Sequence, residues 1–266
     1  MKKQIILLLI VMSLFSSASL AKPCVVLLHG LTRSSNSMDE MERKLSTAGY
    51  FVANIDYPST KRSISELAEI AVNKGLYQCK SHGATPLHFV THSLGGILVR
   101  QYYKNHSLGN LKRVVMLGPP NQGSEVVDKL KNVPGFELIN GPAGMQLGTH
   151  AIDAPKNLGP INFELGIIAG TQSINLLLSG FLPNTDDGKV TVEGTKAEGM
   201  CGFIAMPVNH PFMMKDDEVI DEVSHFLNHG KFRNKKAITN PVNSDPAVPG
   251  FCTGDKQQSQ ILSSKF

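Results

Sequence analysis

One stretch of the chain combines residue types that could carry out nucleophilic chemistry. It is Thr91–Gly96 (THSLGG), which follows the apolar run Leu87–Val90 (LHFV) and precedes the run Ile97–Val99 (ILV). A β-rich run, a tight turn with one serine between small residues and a helix-compatible run form the context of a nucleophile elbow. Such a turn lifts a serine Oγ clear of the sheet, at a helix N-terminus that favours developing negative charge. We therefore predict that Ser93 is a nucleophile.

A serine hydroxyl needs a base that is itself held by a third group, and downstream of an elbow serine the acid comes first and the histidine second. His210 lies in Pro207–Pro211 (PVNHP), a predicted turn after the last strand-like run. Because ligands in open α/β folds bind at the carboxyl ends of the strands, His210 is the predicted base. Solvated positions are expected for four other histidines, namely His106, His150, His225 and His229. Structural positions are expected for His88 and for His92, whose side chain should point away from that of Ser93 and pack against the sheet.

The acid is expected in Asp186–Val190 (DDGKV), between the elbow and the histidine. An acid beside a glycine can present its carboxylate on a tight bend. We favour Asp187, next to Gly188, over Asp186. Asp153, which lies earlier in the chain, is the remaining alternative.

Acyl transfer also needs two hydrogen-bond donors for the developing oxyanion. In enzymes with an elbow serine, these donors are the amide of the residue after the nucleophile and an amide from the loop after an early strand. Leu94 directly follows Ser93. Leu31 follows the first strand-like run, behind His29 and Gly30. We expect the Leu31 and Leu94 amides to form the oxyanion hole, with His29 and Gly30 as its supporting loop.

Short apolar runs alternate with amphipathic segments and predict the elements that position these residues. Strands are predicted over 24–28, 51–56, 87–90, 113–117, 166–169 and 200–206. Helices are predicted from a cap at Ser37, with Glu40 three residues on and a stop at Gly49; from Ser63 or Ser65; from the elbow to about Lys104; and over 216–229. This alternation predicts the α/β class, with a mostly parallel sheet and helices on both faces.

The first 21 residues have the character of a secretory signal peptide. Met1–Lys3 is basic, Ile5–Phe15 is almost wholly apolar, and Ser19–Ala21 offers small residues for cleavage. The apolar core is shorter than the roughly 20 residues of a spanning helix. We therefore expect export to the periplasm or the extracellular space.

A single domain is expected over residues 22–230, since no linker or internal repeat divides them. The segment 124–160 is rich in proline and glycine and predicts a short, loop-rich insertion over one end of the sheet. Its position suits a lid, and a plain surface excursion is the alternative. The polar residues 231–266 predict an extended C-terminal tail that is held at Cys252.

The charge balance argues against nucleic acid as a partner. Loss of residues 1–21 removes Lys2 and Lys3 and no acid, so the 26 basic side chains fall to 24, against 22 acidic ones. A nearly neutral protein lacks the basic footprint that nucleic-acid binding requires.

Four cysteines follow the signal peptide, at Cys24, Cys79, Cys201 and Cys252. An exported chain meets an oxidising compartment, so two disulfides are expected. Four cysteines allow three pairings. We favour Cys24 with Cys79, since both precede strands that should be neighbours in the sheet. Unpaired buried thiols are the alternative.

Five motifs occur in order: His29–Leu31 (HGL), Thr91–Gly96 (THSLGG), Gly118–Ser124 (GPPNQGS), Asp187–Val190 (DGKV) and Val208–His210 (VNH). Together they resemble the bacterial lipase branch of the α/β-hydrolase superfamily, over residues 24–229. The resemblance implies an α/β-hydrolase fold, a triad of Ser93, Asp187 and His210, and oxyanion amides at Leu31 and Leu94. One departure is Thr91, whose branched side chain stands where the pattern usually has glycine.

The resemblance also implies a serine ester hydrolase of the lipase or carboxylesterase type, acting through an acyl-enzyme on a small-molecule or lipid ester. Transient contact with a lipid interface and a monomeric state are expected. An acyltransferase or phospholipase would use the same residues, and a non-catalytic binding protein of the same fold is a further alternative. Members of this branch often hold a calcium ion near the acid, but no acid cluster here can be assigned to it. We therefore expect no metal and no cofactor.

Overall fold

The computed structural model describes residues 21–107, 109–174, 176–233 and 252. These residues form one sheet of six strands: β1 (Cys24–Leu28), β2 (Phe51–Ile55), β3 (Leu87–His92), β4 (Leu111–Leu117), β5 (Glu164–Gly170) and β6 (Gly202–Met206). All neighbouring strands are parallel, and their order is β2-β1-β3-β4-β5-β6. The strand order reverses at β1, so the carboxyl ends of β1 and β3 border the crevice where such sheets bind ligands.

Helices cover both faces of the sheet. They are α1 (Asp39–Thr47), α2 (Ile64–Ser81), α3 (Leu94–Asn105), α4 (Glu125–Leu130), α5 (Phe136–Met145), α6 (Leu176–Ser179) and α7 (Asp217–His229). Residues of α1 and α7 belong to one apolar core, and those of α2 and α3 belong to the other. The predicted α/β class, with a parallel sheet between two helical layers, is confirmed.

The first strand shows why the apolar runs are continuous. Val25 and Leu27 belong to the core under α1 and α7, whereas Cys24, Val26 and Leu28 belong to the core under α2 and α3. All five side chains are fully buried. Successive strand residues point to opposite faces, so a strand covered on both sides must be apolar at every position.

Two helix starts were predicted from serine caps, and one of them is correct. Ser63 caps α2: its Oγ accepts a hydrogen bond from the Glu66 N–H, and the Glu66 carboxylate accepts one from the Ser63 N–H. The prediction for Ser37 is wrong. It lies in a 3-10 helix, Ser35–Met38, and its hydroxyl donates to the Ser34 carbonyl oxygen at 2.7 Å. The extra 3-10 turn uses the serine locally, and α1 starts at Asp39 without a side-chain cap.

Both expected disulfides are present, and the favoured pairing is confirmed. Cys24 at the start of β1 is bonded to Cys79 in the last turn of α2. Cys201, just before β6, is bonded to Cys252. This second bond joins the C-terminal tail to the domain, although most of residues 231–266 lie outside the described residues.

The segment 124–160 is more helical than the sequence predicts. It contains α4, α5 and a 3-10 helix, Ala154–Asn157. Helix α5 is interrupted at Gly141, whose φ of 64° is in the left-handed region. A Cβ there would collide with the Thr60 carbonyl oxygen, so only glycine allows this close contact. The interrupted helix thus packs directly on the loop after β2.

The predicted signal peptide lies outside the described residues, apart from Ala21. Among the described helices, none combines the length and the apolar composition needed to cross a bilayer.

Loss of the Cys24–Cys79 bond should destabilise the fold. Its partners are 55 residues apart, and closing a loop of that length stabilises a protein by about 4 kcal/mol in the chain-entropy estimate. We expect the double variant Cys24→Ala with Cys79→Ala to lose free energy of unfolding of this order in urea titrations. Comparison of the oxidised with the reduced form of the variant Cys201→Ala with Cys252→Ala, which keeps the Cys24–Cys79 bond, separates the cross-link from the change in packing. An unchanged urea midpoint in both comparisons would contradict the expectation.

Candidate active site

The turn between β3 and α3 holds Ser93 in an unusual backbone conformation. Its φ is 51° and its ψ is −117°, and few residues other than glycine adopt a positive φ. The Ser93 N–H donates to the Leu117 carbonyl oxygen at 2.9 Å, and the Ser93 carbonyl oxygen accepts from the Gly96 N–H at 3.0 Å. These bonds fix the sharp change from strand to helix that a nucleophile elbow requires.

Small residues let the helix approach the sheet closely behind the serine. A Cβ at Gly95 would lie 2.6 Å from the Leu28 carbonyl oxygen, and one at Gly96 would lie 3.0 Å from the Met116 Sδ. Thr91, on the other side of the serine, fits as an ordinary residue of β3 paired with its neighbours. It is fully buried, and its Oγ1 has no hydrogen-bond partner among the residues that the structure describes. The departure from glycine is thus accommodated by extended backbone, at the cost of one buried hydroxyl.

His210 and Asp187 form a buried hydrogen-bonded pair. The distance from His210 Nδ1 to Asp187 Oδ2 is 2.7 Å, and the His210 N–H also donates to the Asp187 carbonyl oxygen at 2.9 Å. The second carboxylate oxygen accepts from the amides of Lys189 at 3.0 Å and Val190 at 2.9 Å. An ionised carboxylate only accepts, so His210 Nδ1 is the donor and its Nε2 is left free to take a proton.

The two other candidate acids have different partners. Asp186 Oδ1 accepts from the Ser179 hydroxyl and from the Gly188 N–H, both at 2.7 Å. It therefore shapes the turn beside Asp187. Asp153 accepts from the His150 N–H within the segment 124–160. Of the three acids weighed from the sequence, the structure pairs Asp187 with His210.

One cavity of about 640 Å³ brings the predicted residues together. Ser93, His210, Asp187 and Leu31 all line it, and Leu94 is buried at the start of α3. Apolar residues of the segment 124–160 form another wall, namely Val126, Val127, Leu130, Phe136, Ile139 and Leu147. Ser93 thus faces a space with an apolar side.

The loop after β1 is held in place beside Ser93. The His29 ring stacks on the Tyr57 ring with centroids 4.0 Å apart, and the Tyr57 hydroxyl donates to the His29 carbonyl oxygen. His29 Nδ1 donates to the Gly30 carbonyl oxygen at 2.8 Å. Burial lowers the pKa of His29, which favours its neutral form. In the described part of the chain, neither the Leu31 N–H nor the Leu94 N–H has a protein acceptor, so both are free to bind an oxyanion.

The position of His92 differs from the one predicted from the sequence. It lines the cavity, and its Nε2 donates to the His210 carbonyl oxygen at 3.0 Å. Its Nδ1 is buried without a partner and faces Gly30, where a Cβ would lie 2.7 Å away. Burial lowers the pKa of His92 well below its ordinary value, so the ring is neutral. A position against the sheet was predicted for His92, and this contact with the loop of His210 was not.

The other histidines and the acids suggest no second catalytic group. His88 is buried in β3 as predicted, and burial lowers its pKa to about 3. The histidines predicted to be solvated do not contribute to the lining of the cavity, among the residues that the structure describes. Over the same residues, no group of three or more His, Cys, Asp or Glu side chains is arranged to hold a metal ion.

The contact between His92 and His210 should matter for turnover more than for binding. In His92→Leu the His210 carbonyl oxygen loses a donor, and such a hydrogen bond contributes about 0.5–1.5 kcal/mol. We expect kcat for a p-nitrophenyl ester to fall about 10-fold with little change in KM. His92→Gln can place an amide nitrogen near the same oxygen and should recover most of the loss. Equal impairment of the two variants would contradict a positioning role.

A family model described as alpha/beta hydrolase fold matches residues 23–141. The match includes β1 to β4, the loop after β1 and the elbow. A search of curated protein sequences gave no significant match.

Solved structures of bacterial enzymes share the fold. The mature Bacillus licheniformis lipase BlEst2 matches with a TM-score of 0.61 and 19% identity, over 80% of this chain and 94% of that one. Phospholipase PlaB from Legionella pneumophila matches with a TM-score of 0.53 and 17% identity, over 66% of this chain and 45% of that one. Esterase RhEst1 from Rhodococcus sp. ECU1013 matches with a TM-score of 0.50 and 15% identity, over 78% and 90%. The family match over residues 23–141, the parallel sheet and these structural similarities together show that the chain has the α/β-hydrolase fold.

Proposed function

We propose that the protein is a serine ester hydrolase, a lipase or carboxylesterase, that is exported from the cell. The observation that carries this proposal is the 2.7 Å hydrogen bond between His210 Nδ1 and Asp187 Oδ2, in the same cavity as the elbow serine. A base held by a buried acid beside a strained serine is the arrangement that activates a hydroxyl for acyl transfer.

The proposed reaction proceeds through an acyl-enzyme. The Ser93 Oγ attacks the ester carbonyl carbon while His210 Nε2 takes its proton, and Asp187 stabilises the imidazolium. The amides of Leu31 and Leu94 hold the oxyanion. Collapse of the tetrahedral intermediate releases the alcohol, which receives the proton from His210. Water, activated in turn by His210, then attacks the acyl-enzyme and releases the acid.

The apolar wall of the cavity is suited to the acyl chain. It comes from α4, α5 and the following residues, and it lies beside the nucleophile. Each buried methylene of an acyl chain contributes about 0.8 kcal/mol, so such a wall can select for chain length. We propose that the segment 124–160, within a domain over residues 22–230, provides this acyl site.

Export and contact with lipid belong to the same proposal. Both disulfides, Cys24–Cys79 and Cys201–Cys252, are of the kind that persist in oxidising compartments, in keeping with a signal peptide over residues 1–21. Two large apolar side chains that line the cavity, Ile139 and Ile174, are exposed, and so is Leu138, the neighbour of Ile139 in α5. Exposed apolar patches often mark interaction sites. They support transient contact with a lipid surface.

Removal of the nucleophile is the first test. Ser93→Ala should lower kcat for p-nitrophenyl esters by about 10⁴-fold or more, since removal of a triad serine leaves only binding and oxyanion stabilisation. The assay uses a series of acyl-chain lengths, so that the wild type also reports its preference between short and long acids. Circular dichroism checks that the variant is folded. Undiminished turnover by folded Ser93→Ala would overturn the proposal.

The neighbouring aspartates provide a matched pair for the acid. Asp187→Asn should lower kcat by about 10⁴-fold, because an amide cannot hold His210 in the productive tautomer. Asp186→Asn retains an oxygen that accepts from the Gly188 N–H and should keep most of the activity. Steady-state kinetics on one ester compare the two variants. Greater damage from Asp186→Asn would show that Asp187 has been assigned the wrong role.

A further inference from the structure

Two cationic side chains line the cavity that contains Ser93. Arg33 lies two residues after Leu31, and Lys189 lies two residues after Asp187. Neither side chain forms an ion pair in the described part of the chain. Asp187, the one acid of the lining, is fully buried and bonded to His210. The charge that the cavity offers to a ligand is therefore positive.

The two cations repel each other. Burial and then the charge of Arg33 lower the pKa of Lys189, and Asp187 opposes this effect only in part. Like charges that line one cavity raise the energy of the empty site. An anion bound between them removes that repulsion and gains charge-assisted hydrogen bonds from both.

A polar groove continues from the cavity on this side. It measures about 520 Å³ and shares Thr32, Arg33 and Pro211 with the cavity. It then passes Ser34, Ser37 and Lys215. None of the described residues that line the groove is acidic. Hydroxyl and cationic donors without carboxylates are the surroundings that phosphate and carboxylate oxygens require.

The positions of the groove and the apolar wall distinguish the two halves of an ester. The leaving alcohol must lie near His210, because His210 gives it a proton. Pro211, the next residue, borders both the cavity and the groove, so the groove begins on the alcohol side. The apolar wall, with Val127 and Leu130, is left for the acyl chain.

We propose that the preferred substrates are esters whose alcohol half carries an anionic group, a phosphate or a carboxylate, which binds between Arg33 and Lys189. This proposal rests on the proposed ester hydrolase function and adds the chemistry of the alcohol half. Arginine suits such a group because its planar guanidinium can donate two parallel hydrogen bonds to two of its oxygens. Lys189 adds a second positive charge.

The test compares two octanoyl esters that differ by one charge. The anionic one is 4-nitro-3-octanoyloxybenzoate, whose alcohol half carries a carboxylate, and the neutral one is 2-nitrophenyl octanoate. The readout is the ratio of kcat/KM for the anionic ester to that for the neutral ester, in which any general loss of activity cancels. We expect a wild-type ratio above one that falls about 10-fold in Arg33→Gln and in Lys189→Gln, and further in the double variant. Added salt should lower the wild-type ratio as well.

The control is Lys112→Gln. Lys112 is exposed at the start of β4, and it lines neither the cavity nor the groove. This variant should therefore keep the wild-type ratio. A second comparison, of dioctanoyl phosphatidic acid with dioctanoylglycerol, gives the same ratio for a phosphate. The larger of the two ratios shows whether phosphate or carboxylate is preferred.

The possible failures can be told apart. If the wild type hydrolyses the neutral substrate of each pair as well as or better than the anionic one, the anion site is overturned and the proposed ester hydrolase activity is not. The same follows from a double variant that keeps the wild-type ratio. A wild type that hydrolyses none of the esters overturns the proposed function, and the anion site with it.

Discussion

The left-handed backbone of Ser93 is a conformation that costs on the order of 1–3 kcal/mol and must be held by its surroundings. The support comes from several strands at once. The Ser93 N–H is bound by the last residue of β4, and the absence of a side chain at Gly95 allows α3 to approach the end of β1. The position of the nucleophile therefore depends on how β1, β3 and β4 pack together, and not on the turn alone. A parallel sheet buried on both faces is rigid enough to supply that support.

The residue before the serine extends this dependence to two further loops. One ring nitrogen of His92 holds the carbonyl oxygen of His210, and the other faces Gly30 in the loop that leads to Leu31. The elbow thus contacts both the loop of His210 and the loop that leads to Leu31. A neutral ring is suited to this place, since a buried charge without a partner would be costly. A neutral His29, stacked on Tyr57, likewise holds the loop that leads to Leu31.

Features set by local chemistry could be predicted from the sequence, and features set by close packing could not. The strands were recognisable because residues such as Val25 and Val26 are buried on opposite faces and must both be apolar. Asp187 and His210 followed from chain order and from the turn at Gly188. The helices of 124–160 were missed because proline and glycine at 141–142 interrupt a helix without preventing it. Arg33 and Lys189 carried no signal, since a single charged residue does not reveal whether a counter-ion lies beside it.

The positive charges bear on catalysis as well as on recognition. In the proposed reaction, attack by Ser93 places a negative charge at the oxyanion, and Arg33 lies two residues along the chain from Leu31, whose amide is proposed to hold that charge. A substrate that already carries an anion on its alcohol half brings a second negative charge into the same cavity. In a neutral site these charges would repel each other as the transition state forms, and the reaction would slow. At the proposed anion site, the charges of Arg33 and Lys189 would offset that repulsion, so that an anionic substrate could be bound tightly without a penalty at the chemical step.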